Sequence, residues 1–70
     1  MVNDPRGETV YVTQDILDGI EYLSSRGVNI LAPGQMSEKA LDFHYPEVYH
    51  YIQNNMVDYM KGAMGTFAPK

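Results

Sequence analysis

The sequence predicts a mainly α fold: a small three-helix domain with a short N-terminal extended segment. Three observations predict it. Apolar residues recur at helical spacing from Ile16 to Leu23 and again from Val48 to Ala63. Capping and breaking residues (Thr13, Gly27, Ser37, Pro46) stand where three helices would begin or end. Before the first of them, Thr9-Val10-Tyr11-Val12-Thr13 is β-branched and aromatic, the composition of a short strand.

In chain order, residues 1–8 are dense in turn formers (Asn3-Asp4-Pro5-Arg6-Gly7) and read as an arm. Residues 9–65 form the single helical domain, and residues 66–70 read as a tail. In the extended segment, Val10 and Val12 face one way and Tyr11 the other. Thr13 caps the first helix, and Asp15 sits in its first turn, where the helix dipole favours a carboxylate. Ile16, Ile20 and Leu23 share one stripe flanked by Leu17, and Gly27 ends the helix. Gly19 interrupts the helix beside that stripe, which predicts the close passage of another backbone. Val28–Leu31 is a short apolar connector that could lie parallel to Val10–Val12, and Ala32–Gln35 is a turn. Ser37 caps a short second helix from Glu38 to Phe43 or His44, with Met36 and Leu41 spaced as a hydrophobic staple. Pro46 and Glu47 open a third helix that runs to about Ala63. The predicted core is Val12, Ile16, Ile20, Leu23, Ile30, Leu41, Phe43, Val48, Ile52, Met56 and Tyr59.

Seventy residues allow one domain with a thin core, so a partner surface could matter to its stability. With 44% hydrophobic and 20% charged residues the composition is globular rather than disordered. No cysteine is present, which removes disulfides, Cys zinc sites and Cys nucleophiles. No apolar run approaches the roughly 20 residues of a membrane span, and no signal peptide is read at the start, so the default expectation is cytoplasmic. The net charge of -4, with bases scattered singly, argues against binding phosphate backbones or anionic lipid.

The last helix is the most informative segment. Stepping at 100° per residue, its apolar residues cover about 180° of the wheel, whereas one core stripe needs about 100°. Val57, Met60 and Met64 are the surplus, and Met and Tyr suit adaptable, partly wet interfaces. Val57, Met60, Met64 and Tyr51 are therefore the candidate interface of a small acidic protein-interaction or regulatory module, with a protein partner or a second copy docking on that helix. The competing reading is a central helix covered on both sides within the chain.

Two other surfaces carry alternatives. Asp15, Asp18 and Glu21, with Tyr22, lie opposite the apolar stripe of the first helix; they are a solvated face, or the docking face of an acidic inhibitor for a basic partner. The helices around Pro46 have the layout of a helix-turn-helix, in which His50, Gln53 and Asn54 would contact nucleic acid. Asp42, His44, Glu47 and His50 make a loose pattern of metal-ligand types, but Pro46 separates the two histidines and no metal site is expected. No supported nucleophile and no phosphate-binding motif is found, so no catalysis, cofactor or small-molecule substrate is expected.

Overall fold

The structure is a computed structural model that describes residues 8–70. Helices dominate it. The order is β1 (Thr9–Val12), α1 (Gln14–Ser25), α2 (Pro33–Asp42), α3 (Pro46–Asn54), α4 (Met56–Met64) and β2 (Thr66–Pro69). The arm expected at residues 1–8 lies almost wholly outside the described residues.

α1 follows its local signals. Thr13 is extended, and its hydroxyl accepts from the Ile16 N–H at 3.4 Å. Gly27 has φ 86°, and two bonds close the helix end: Val28 N–H to the Leu23 carbonyl and Gly27 N–H to the Ser24 carbonyl. This is a Schellman closure with glycine in its left-handed position. α2 ends the same way with a different residue. Tyr45 N–H reaches the Ala40 carbonyl and His44 N–H the Leu41 carbonyl, so His44 takes the left-handed position at φ 68°. A side chain there costs roughly 1–2 kcal/mol, and glycine returns about 0.5–1 kcal/mol of that as unfolded-chain entropy. His44→Gly is therefore expected to raise stability by about 0.5–1 kcal/mol in urea melts.

α2 begins five residues earlier than the sequence suggests, at Pro33 rather than Glu38. Pro33 supplies the first helical residue and Ala32 the cap, with no side-chain capping bond. Ser37, expected as the cap, is instead inside the helix and buried, and its hydroxyl accepts from Gln53 Nε2 of α3 at 3.3 Å. Met36 and Ala40, four residues apart, make the inward line of α2. Leu41 stands about 140° from Met36 on the wheel and is 48% exposed, so the expected staple and the core role of Leu41 do not form.

The third predicted helix is two helices. Asn55, at φ -138° and ψ 49°, ends α3 and begins α4. Asn54-Asn55 is weak helix-forming sequence, because asparagine amides compete for backbone partners. The break turns Met56 out of the core position predicted for it, to 42% exposure.

Residues 66–70, expected as a tail, hold β2. It pairs in parallel with β1, Thr9 opposite Thr66 and Val12 opposite Pro69. The contact of Val10–Val12 with Val28–Leu31 that the sequence left open does not form; β1 takes this pairing instead, and Val28–Leu31 stays a connector with Ile30 half-buried. α4 packs against both strands, and α2 and α3 make the most extensive helix–helix contact. The core is Val12, Leu17, Ile20, Leu23, Met36, Ala40, Val48, Ile52 and Tyr59. Ile16, Ile30 and Phe43, placed in the core from sequence, are half-buried at its margin. Gly19 allows α1 to meet α3: a Cβ there would stand 2.5 Å from Val48 Cγ2 and 2.9 Å from the Tyr45 ring. The neighbours are side chains rather than the backbone that the sequence suggested.

Candidate functional site

α4 carries the largest apolar exposure. Tyr59 and Gly62 face inward and are buried, Tyr59 completely. Taking Met56 as zero, Met60, Met64 and Val57 follow at about 40°, 80° and 100°. That arc has the width of a core stripe, yet most of it faces outward. Val57 is 69% exposed, Met64 55% and Met56 42%, and only Met60 is half-covered. Lys61 and Asp58 flank the stripe, and no acid interrupts it.

Of the residues predicted for this interface, Val57, Met60 and Met64 come together on one face and Tyr51 does not join them. Tyr51 is half-buried against the core. Its hydroxyl is pushed above the ordinary tyrosine pKa by burial and, secondarily, by the negative charge of Asp58. Met56 belongs to the stripe and was missed. The signal that would have found it is the Asn54–Asn55 helix break.

The acidic residues of α1 are exposed, as a solvated face requires: Asp15, Asp18 and Glu21 all reach solvent, and Gln14 donates to Asp18 across one turn at 2.8 Å. Tyr22 departs from that face. Its ring packs edge-on to Phe43 at 5.6 Å and against Tyr45 at 5.5 Å, and the Arg26 guanidinium lies over it at 5.7 Å. Tyr22 joins α1 to the α2–α3 corner and is not a free docking group.

On α3, His50, Gln53 and Asn54 are exposed on one side. The Gln53 amide is engaged by Ser37, and the His50 ring meets the edge of Tyr49 at 5.5 Å. The cations that phosphate contacts require are elsewhere: Arg26 is stacked on Tyr22 and Phe43, and Lys39 stands 4.0 Å from Asp42. Among the described residues no three His, Asp or Glu side chains are grouped to hold a metal ion. No helix there is long and apolar enough to cross a membrane.

Comparison with protein-family models, curated proteins and solved structures finds no match.

One groove opens between α1 and β2, walled by Leu17, Ile20, Glu21 and Ser24 on one side and Thr66 and Phe67 on the other. Its volume is about 220 Å³. Pockets for substrate-sized ligands run from roughly 300 to 1,000 Å³, so the groove suits a single side chain better than a small-molecule substrate.

Proposed function

We propose that this chain is a non-enzymatic protein-interaction module that docks through the outer face of α4, with a second copy of itself as partner. The observation that carries the reading is the stripe Met56-Val57-Met60-Met64, a core-wide apolar arc that the described chain leaves exposed at Met56, Val57 and Met64 and only half-covers at Met60. Flexible methionines let such a face adapt to its mate. The second copy fits because a two-fold contact sets the same patch against itself. Two chains of net charge -4 repel each other least where the patch carries no acid, and the acids of α1 lie on a different element.

Light scattering after size exclusion, over a range of concentrations, tests this. The mass is expected to rise from 7.9 kDa toward twice that value, 15.8 kDa. Val57→Asp is expected to return it to the monomer with the circular dichroism unchanged, since the residue is 69% exposed, and to melt where the diluted, monomeric native chain melts. A monomer mass at every concentration defeats the reading.

A further inference from the structure

The ladder between β1 and β2 fixes which backbone groups look outward. Thr66 N–H bonds the Glu8 carbonyl at 3.0 Å and Lys70 N–H the Val12 carbonyl at 2.9 Å. In a parallel pair, bonding alternates along each strand. Val10 and Val12 therefore turn their backbone groups toward β2, and Thr9 and Tyr11 turn theirs to the opposite edge. On β2 the outward groups belong to Phe67 and Pro69, and Pro69 has no N–H to offer. One edge of the sheet is thus blunted by proline. The β1 edge has no proline and no charge within the strand, and among the described residues the elements that pack substantially on β1 are β2 and α4.

We infer that the β1 edge pairs antiparallel with the β1 edge of a second copy, Thr9 opposite the partner's Tyr11, to give a four-stranded sheet. The inference rests on the self-docking reading above and gives it a geometry. The register follows from the backbone. With Val10 on the two-fold axis, Thr9 and Tyr11 each exchange both bonds with the mate, four in all. Moving the register to set Tyr11 against Tyr11 would require the Thr13 carbonyl, which already accepts from Leu17 N–H at 2.9 Å. In the favoured register the two Val10 side chains meet on the α4 side. Thr9 and the 61% exposed Tyr11 pair across the outer face, a favourable β-branched and aromatic couple.

The same geometry addresses the area a dimer needs. A four-residue edge falls well short of the roughly 1,600 Å² of a standard interface. α4 packs against both strands, and a two-fold axis normal to the sheet puts both copies of α4 on one face. Two strand spacings of about 4.8 Å separate the centres of the two strand pairs. Where each α4 passes over the middle of its own strand pair, the two helices come to about 10 Å, helix-packing distance, and add their own contact to that of the edge.

The test joins light scattering with amide exchange followed by NMR. Tyr11→Pro removes one outward N–H and leaves the inward ladder intact. It is expected to cut the dimer fraction at least tenfold with helical content unchanged. In the native chain, which needs no variant, the Thr9 and Tyr11 amides are expected to slow as the concentration rises, while Phe67, on the other edge, does not. A dimer that survives Tyr11→Pro, with Thr9 and Tyr11 amides indifferent to concentration, overturns the edge pairing and leaves α4 docking standing. A monomer at every concentration overturns both.

Discussion

Gly65→Ala is expected to lower the stability of the domain by about 3 kcal/mol, at the upper end for an overpacked site. A Cβ at Gly65 would collide with the Glu8 carbonyl oxygen and stand 2.9 Å from the Glu8 nitrogen and 3.0 Å from its carbonyl carbon. These are backbone atoms, and that same carbonyl accepts the first ladder bond from Thr66. Relief requires β1 to move off β2. A chain of this length has about 4–10 kcal/mol of total stability, so the loss is a third of it or more. Gly62→Ala provides the comparison. Its Cβ would meet the Phe67 ring, a side chain that can turn aside, so a smaller loss is expected. Urea denaturation of the three proteins orders them, and a Gly65→Ala midpoint equal to that of the native chain would show that the strands part without cost.

Tyr59→Phe is expected to cost about 2 kcal/mol at neutral pH. Tyr59 is fully buried, and its hydroxyl donates to the Ile30 carbonyl at 2.6 Å. Phenylalanine keeps the ring packing, including the tilted contact with Phe67 at 5.6 Å, and strands that carbonyl without its donor. The phenol also gives the fold an alkaline limit. Burial pushes its pKa far above the usual value near 10. In the native state the hydroxyl keeps its proton at a pH where the unfolded chain has released it. The native state then binds more protons, and stability falls as pH rises above about 10, by up to roughly 1.4 kcal/mol per pH unit for one group. The variant lacks this term. Melts at pH 7 and pH 11 are expected to show the two proteins converging, and a constant gap between them would refute the assignment.

What could be read from the sequence was what is local. α1 has its cap, stripe and left-handed glycine within fifteen consecutive residues, Thr13 to Gly27; the cap, the glycine, Ile20 and Leu23 sit where expected, while Leu17 takes the buried place expected of Ile16. The surplus of the last helix was legible as an arc too wide for one contact, and Val57 and Met64 are indeed uncovered. Competing local signals misplaced α2: Ser37 has the chemistry of a cap, but Pro33 starts the helix and tertiary packing claims Ser37 for Gln53. His44 does the work usually left to glycine, so the end of α2 was blurred. Periodicity ran straight through Asn55, where the chain bends, and put Met56 on the wrong side. Tyr22 lies on the polar side of its own helix and is taken up by aromatic residues from two other elements, which no single-helix wheel shows. β2 was missed because its partner is far away along the chain, and four residues ending in Pro69 do not read as a strand on their own.

That separation also sets a clock. Thr9 pairs with Thr66, 66 − 9 = 57 residues later. At a synthesis rate of about 5–20 residues per second, β1 waits roughly 3–11 s for its partner strand to be made. Helix formation takes microseconds or less, so α1, made directly after β1, has time to form well before the sheet exists. Throughout that interval β1 lacks the strand it pairs with in the native sheet, and that edge is most open to pairing with a neighbouring nascent chain while its own protein is still being made.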